Sequence, residues 1–138
     1  MVSARDVPQD ILTKKIAEEL KRRAEMPEWA KYVKTGLSRE RPPEDRDWWY
    51  MRMASIMRKI YLEGPVGVSR MRSFYGGLHR RGHKPAHFAK ASGKIIRVMM
   101  QDLERLKLIE NTNKPHKGRV VTPEGQRFID GVAKGIKV

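Results

Sequence analysis

The side chains whose spacing most suggests chemistry are three histidines, His79, His83 and His87, which recur at every fourth residue. Imidazoles at this spacing share one face, and so one metal ion, only when a helix carries them. Gly82 and Pro85 stand between them, and a glycine and a proline at these positions prevent a continuous helix. We therefore predict no metal site at these histidines.

The sequence offers little to other catalytic mechanisms. Because the chain has no cysteine, it has no thiol nucleophile, no thiolate zinc site and no disulfide. Its glycines at 64, 67, 76 and 77 do not form a GxxxxGK loop followed by Ser or Thr. No Ser/His/Asp order or carboxylate pair stands out. We expect a protein that is not an enzyme and that needs no cofactor.

The charge is strongly positive and unevenly distributed. Thirty Lys and Arg oppose 16 Asp and Glu, giving a net charge of +14, and residues 64–101 contain no Asp or Glu at all. The cations of this acid-free segment are Arg70, Arg72, Arg80, Arg81, Lys84, Lys90, Lys94 and Arg97. An ordinary solvated face mixes both signs, so a phosphate-binding surface explains the segregation better than that alternative.

Nucleic acid is the first candidate for the polyanionic partner and an anionic membrane is the second. The membrane is disfavoured because no apolar run exceeds the four residues 48–51. No secretory signal is recognisable after Met1, and the lack of cysteine fits a cytosolic protein. We expect a cytoplasmic protein with no membrane partner.

Apolar periodicity predicts a mainly helical chain. Helices are expected over residues 7–23, 27–34, 45–63, 69–75, 92–107 and from 123 onward. The clearest is 45–63, where five apolar residues form one buried stripe, with Ser55 and Arg58 on the far side and Arg52 and Lys59 at its flanks. Asp6, Ser69, Ser92 and Thr122 are the expected helix caps. The stripe consists of Trp49, Met53, Ile56, Met57 and Ile60.

The remaining segments are predicted to be loops and one short hairpin. Residues 36–47 and 111–118 are polar loops, and 78–91 is an irregular stretch. Strands are expected at 108–110 and 119–121. The whole chain, 1–138, is expected to be one domain, in which N-terminal helices over 7–34 pack on a core formed by 45–138.

The order helix, short helix, long helix, hairpin, helix after residue 48 predicts a winged-helix-like domain whose short two-stranded hairpin is the wing. Lys114, Lys117 and Arg119 give the wing positive charge, which would contact phosphate. The pattern indicates the fold more than the ligand, because many winged helices only join proteins together.

The connection between the predicted helices 69–75 and 92–107, which would form a helix-turn-helix, bears on whether the partner is DNA or RNA. A DNA-reading turn has about 3–4 residues, whereas residues 76–91 are long, basic and rich in His, Gly and Pro. Such a loop would impede docking in the major groove but could conform to RNA. Tyr75, His83, His87 and Phe88 could stack on bases, although Tyr75 and Phe88 could equally be core residues.

Residues 48–62, WWYMRMASIMRKIYL, closely resemble the central helix of small-subunit ribosomal protein family nineteen of the archaeal and eukaryotic series. The resemblance covers nearly the whole chain. It includes Pro-Glu-Trp at 27–29, Tyr-Gly-Gly at 75–77, Pro-Ala-His-Phe at 85–88, the long helix at 92–107, Leu-Ile-Glu at 108–110 and Thr-Pro-Glu-Gly-Gln-Arg at 122–127. Eukaryotic members carry a further basic extension, so a chain ending at Val138 resembles the archaeal members.

The resemblance implies a structural constituent of the small ribosomal subunit that binds ribosomal RNA in the subunit head. It also implies a role in subunit assembly and RNA maturation, with other ribosomal proteins as neighbours. Arg52, Ser55 and Arg58 match its RNA-facing helix positions, and residues 76–91 match its second basic surface. With the charge analysis, the predicted RNA-binding residues are Arg52, Ser55, Arg58, Lys59, Arg70, Arg72, Arg80, Arg81, His83, Lys84, His87, Lys90, Lys94, Arg97, Lys114, Lys117 and Arg119.

The alternative function is a winged-helix DNA-binding transcription regulator. Regulators usually dimerise and need a free recognition helix, and the segment 76–91 argues against the second requirement. We expect this protein to be a monomer when free, because its apolar helix faces should be used within one core.

Overall fold

The computed structural model describes residues 3–36, 39, 43, 46–113 and 117–136. Its elements, in chain order, are α1 (Gln9–Arg23), α2 (Trp48–Glu63), α3 (Val68–Phe74), β1 (Gly77–Arg81), β2 (Lys84–Ala89), α4 (Gly93–Arg105), β3 (Ile109–Thr112), β4 (Gly118–Val121) and α5 (Pro123–Lys134). Short 3₁₀ turns stand at Ala4–Asp6 and Glu28–Lys31. The mainly α, winged-helix-like class is confirmed. The predicted loop 36–47 lies largely outside the described residues.

Helix α2 runs through the centre of the molecule. All five residues of its predicted stripe are buried, and Glu63 is the one residue of this helix that is exposed. Helix α1 packs along α2 and adds Leu12, Ile16 and Leu20 to the same continuous core. Burying such apolar surface contributes roughly 25 cal/mol per Å². Helix α2 contributes more buried residues to this core than any other described helix.

The caps show where local sequence fixes the helix ends. Ser92 accepts a hydrogen bond from the Ile95 backbone N–H (3.5 Å), and Thr122 accepts one from the Gly125 N–H (3.0 Å), as predicted. Two other caps were wrong. Asp6 instead accepts from the Ser3 N–H in a capping box on the first 3₁₀ turn, and α3 begins at Val68, ahead of Ser69.

The predicted helix 27–34 is instead the four-residue 3₁₀ turn. Pro27 occupies its N-cap position without a side-chain capping hydrogen bond, and the turn ends at Tyr32. Trp29 from this turn still packs edge-on against Trp49 of α2, with ring centroids 5.7 Å apart. This contact packs the turn against α2, and Ala30 of the same turn is also buried in the core.

The predicted wing is the β3–β4 hairpin. Its strands are antiparallel, with Ile109 opposite Val121. Arg119 also exchanges two backbone hydrogen bonds with Val66 (3.0 and 3.1 Å). The segment between α2 and α3 therefore pairs with β4 along the edge opposite β3. A Cβ at Gly118 would lie 2.8 Å from the Val66 nitrogen, so only glycine permits this approach.

Residues 78–91 form a second hairpin, β1–β2, and the prediction of an irregular stretch was wrong. Leu78 lies opposite Phe88, and His79 lies opposite His87. Gly82 and Pro85 break a helix, but both suit a hairpin. Gly82 takes φ +71° at the first of two turn residues, as a type II′ turn requires. Proline is tolerated on an edge strand, and both strands of a two-stranded sheet are edges.

The base of this hairpin is fixed to the helical core. The Ala91 N–H donates to the Arg72 carbonyl (2.9 Å), and the Ser92 N–H donates to the Thr35 carbonyl (2.8 Å). Gly36 pairs with Ala91 in an isolated bridge. The strands beyond this base are exposed, including five of the six residues of β2. The hairpin therefore projects between α3 and α4 from a rigid attachment.

Candidate nucleic-acid interface

Arg52 and Ser55 of α2 both contact Tyr75, which follows α3. The Arg52 guanidinium lies 4.3 Å from the centroid of the Tyr75 ring, and the Ser55 hydroxyl is 2.6 Å from the Tyr75 hydroxyl. These contacts fasten the start of the β1–β2 hairpin to the central helix. Each predicted RNA-binding residue here already has an internal partner.

The Arg52 guanidinium is largely removed from water. Burial lowers its pKa below the ordinary value, the Tyr75 ring partly offsets this, and the neighbouring Arg39 lowers the pKa further. Its Nη1 is buried and has no hydrogen-bond partner in the described part of the chain. Arg39 and Arg52 line an open cleft of about 490 Å³ beside the first turns of α2, which Thr13 of α1 and Thr35 also border. Two cations on one cleft create positive potential there.

The other two basic positions of α2 differ from their predicted surface placement. Arg58 is half-buried, and its Nε is buried without a hydrogen-bond partner among the described residues. Lys59 is 14% exposed, pairs with Glu63 (2.8 Å) and lies 3.6 Å from the Phe74 ring centroid. The far side of α2 is not a solvent face, because other parts of the fold surround this helix.

The β1–β2 hairpin presents its cations differently. Within the described part of the chain, the exposed residues Arg80, Lys84 and Lys90 make no ion pair. His83, in the turn, and His87 are also exposed. Arg81 is opposite Lys84 in the register. The hairpin is the largest group of exposed predicted site residues.

The cations on either side of the hairpin have two roles. Arg70 on α3 and Arg97 on α4 are exposed. Lys94 is also exposed, and its Nζ lies 4.7 Å from the Trp29 ring centroid. Arg72 instead donates from Nε to the Ala91 carbonyl (2.9 Å), so it helps to hold the hairpin base.

The wing is less available than its sequence suggested. Lys117 is exposed, and Lys114 lies outside the described residues. Arg119 is ion-paired through Nε with Glu104 of α4, with its side chain 19% exposed. Its guanidinium therefore joins β4 to α4 within the protein.

Comparison with known proteins agrees with the resemblance seen in the sequence. A family profile described as Ribosomal protein S19e matches residues 3–138. The chain belongs to the S19e family. Small ribosomal subunit protein eS19 of Aeropyrum pernix is 43% identical over 140 residues, covering 99% of this chain and 90% of that protein. The corresponding protein of Thermoplasma acidophilum is 44% identical over 138 residues, with the same coverage. That of Mya arenaria is 41% identical over 137 residues, covering 98% and 91%.

S19e proteins are ribosomal proteins, which agrees with the expectation that this chain is not an enzyme. Within the described ranges, no group of three or more His, Asp or Glu side chains is arranged to hold a metal ion. None of the described helices is long and apolar enough to cross a membrane.

The apolar part of this S19e surface does not follow from the predicted site residues. Leu78 and Phe88 are 67% and 57% exposed and lie opposite each other on the hairpin. The sequence predicts Phe88 as either a core or a stacking residue, and it assigns no role to Leu78. Gly82, which separates the short segments 77–81 and 84–89, was the available signal for a hairpin.

Proposed function

We propose that this S19e chain is a structural constituent of the small ribosomal subunit and binds ribosomal RNA in the subunit head. The names of its relatives support the assignment to the small ribosomal subunit, because each relative is a small ribosomal subunit protein. Other ribosomal proteins would be its neighbours, and its location would be the ribosome in the cytoplasm. Support of subunit assembly and RNA maturation belongs to the same proposal.

One observation carries the RNA-binding part: the acid-free segment 64–101 folds into a projecting hairpin and two flanking helices with exposed cations. Phosphates neutralised by Lys and Arg release counterions, which supplies most of the sequence-independent affinity. The residues proposed to contact phosphate first are Arg70, Arg80, Lys84, Lys90, Lys94 and Arg97. Arg81, His83, His87 and Lys117 are proposed to add contacts at the edges of this surface, and Lys114 remains a prediction.

In this proposal, the half-buried cations position the hairpin and add to the positive electrostatic potential of the surface. Arg52, Ser55 and Arg72 hold Tyr75 and the hairpin base by the contacts described above. Arg52 also adds charge to the cleft it shares with Arg39. Arg58 would contribute mainly to the long-range field because it is half-buried, whereas Glu63 and Glu104 offset the charges of Lys59 and Arg119.

A winged-helix DNA-binding regulator is the second candidate, and the wing with its Val66 edge is the observation in its favour. Two features disfavour it. The β1–β2 hairpin projects between α3 and α4, where a helix-turn-helix would have a short turn. Arg119, a cation of the wing, is already engaged by Glu104.

The deciding experiment measures binding to fragments of small-subunit ribosomal RNA and to duplex DNA of equal length at one salt concentration. We expect tighter binding to RNA, with log affinity falling by roughly 0.7 to 0.9 per phosphate contact for each unit of log salt. Tighter binding to duplex DNA by a stable dimer would favour the regulator. A slope near zero would contradict the electrostatic account for either nucleic acid.

A further inference from the structure

We infer that Leu78 and Phe88 form an apolar platform on the β1–β2 hairpin that stacks against an unpaired RNA base. The inference rests on the proposed RNA binding and names the part of the RNA that this surface accepts. The described residues include five exposed large apolar side chains, and three of them fall within 74–88. Phe74 is already used internally, by Tyr75 and Lys59. The other two exposed apolar side chains of this stretch are Leu78 and Phe88.

The two side chains lie side by side. Because Leu78 and Phe88 are partners in the antiparallel register, they point to the same face of the hairpin, with Cβ atoms about 4.5–5.5 Å apart. Their exposed fractions, 67% and 57%, leave most of both side chains in solvent. Both side chains therefore offer exposed apolar surface on one face of the hairpin.

The Phe88 ring is held in place from below. A Cβ built on Gly76 would lie 2.9 Å from the Phe88 Cζ and 2.4 Å from the Ala89 carbonyl oxygen, so the ring leans over the glycine backbone. The hairpin base is in turn fixed through Arg72 and Ala91. A ring that is ordered before binding loses less entropy when a base stacks on it.

The surrounding charge identifies the partner. Arg80, Lys84 and Lys90 are exposed near the platform, and the whole of residues 64–101 lacks an acidic side chain. An apolar patch enclosed by cations suits a chain of phosphates carrying apolar faces, which is single-stranded RNA. In a paired A-form helix the base faces are covered by their neighbours, and the accessible groove offers hydroxyls and base edges. Neither Leu78 nor Phe88 can hydrogen-bond to those groups.

The test compares two RNAs with equal numbers of phosphates, a stem with an unpaired loop and a fully paired duplex. Phe88→Ala should weaken binding to the stem-loop by about five- to a hundred-fold, the usual effect of losing one base–aromatic stack. It should change duplex binding less than about two-fold, and Leu78→Ala should act in the same direction. Phe88→Tyr should keep the stem-loop affinity because it keeps the ring.

Tyr32→Ala is the matched control, because Tyr32 is 74% exposed and lies outside the acid-free segment. It should leave both affinities unchanged. Equal losses on the two RNAs, no loss with Phe88→Ala, or an equal loss with Tyr32→Ala would overturn the platform while leaving the proposed function intact. Failure of the wild-type protein to bind either RNA would remove both. Thermal unfolding of each variant confirms that a folded protein is being compared.

Discussion

Helix α2 and the β1–β2 hairpin both carry cations predicted to contact RNA, yet the fold uses them differently. Every residue of α2 except Glu63 is buried or half-buried, and Arg52 and Lys59 lie over aromatic rings of the same chain. On the hairpin, Arg80 and Lys84 are exposed and form no ion pair within the described residues. The position of a Lys or Arg in the sequence therefore does not show whether its side chain is used within the fold or is available to a partner.

The difference arises from what surrounds each element. A helix at the centre of a small domain has neighbours on several sides, so its polar flank is covered even when its apolar stripe is correctly predicted. A hairpin attached only at its base has two open faces, and a two-stranded hairpin alone is marginally stable in water. We therefore expect substitutions in α2 to change stability and substitutions in the hairpin to change binding.

The largest expected effect is at the buried face of α2. Ile60 is 1% exposed, so Ile60→Ala should lower the free energy of unfolding by about 2–5 kcal/mol through lost burial and the cavity left behind. Ile11→Ala on α1 is the control, because Ile11 is 45% exposed. Urea denaturation of both variants measures the difference. Equal losses would show that α2 is not the centre of the core.

The next effect separates two arginines that look alike in sequence. Arg58→Glu should cost about 1–3 kcal/mol of stability, because the site is half-buried and the buried Nε belongs to a cation. Arg97→Glu on the exposed face of α4 should stay within about 0.5 kcal/mol. Thermal unfolding measures both. An unchanged melting temperature for Arg58→Glu would indicate that Arg58 lies on a solvent-exposed face, as its sequence position predicts.

These two arginines also show what could be predicted from the sequence. The buried stripe of α2 follows from its spacing, and the caps at Ser92 and Thr122 follow from residue type, because both are local properties. The covering of Arg58 depends on elements distant in the chain. So do the contact of Ser55 with Tyr75, twenty residues away, and that of Arg119 with Glu104, fifteen away.

The β1–β2 hairpin was missed for a different reason. Residues 78–91 contain too few apolar side chains to show the apolar–polar alternation that predicts a strand. The reason is that both faces of the hairpin are exposed and neither is packed against the core. Periodicity indicates structure only where one face is buried. The acid-free segment with its exposed cations is thus evident from the charge pattern, whereas its fold could not be derived.

A smaller effect is expected at the junction between the two regions. Tyr75→Phe removes the 2.6 Å hydrogen bond to Ser55 and should cost about 0.5–1.5 kcal/mol. Tyr75 also predicts a pH dependence. Burial raises its pKa above the ordinary value of about 10, although Ser55 and Arg52 oppose the shift.

The sign follows from which state ionises first. The unfolded tyrosine loses its proton at a lower pH than the folded one, so the stabilisation is fully present below pH about 10 and is lost as pH rises through the raised pKa. Burial also raises the pKa of Tyr61, which wild type and Tyr75→Phe both retain. The measurement is therefore the difference in urea stability between wild type and Tyr75→Phe at pH 8 to 11. A difference that does not shrink at high pH contradicts the assignment.

The smallest effect on stability, and the sharpest test of the comparison, is charge reversal on the hairpin. Arg80→Glu with Lys84→Glu should change the free energy of unfolding by less than about 0.5 kcal/mol per site, because both side chains are exposed. The slope of log RNA affinity against log salt should fall by roughly 1.4 to 1.8, the contribution of two phosphate contacts. Lys14→Glu with Lys134→Glu changes the net charge equally, from exposed positions on α1 and α5 outside the acid-free segment. If the control pair reduces the slope as much, affinity depends on net charge alone, and the hairpin is not a distinct binding surface. If only the hairpin pair reduces it, the exposed cations of β1–β2 contact phosphate.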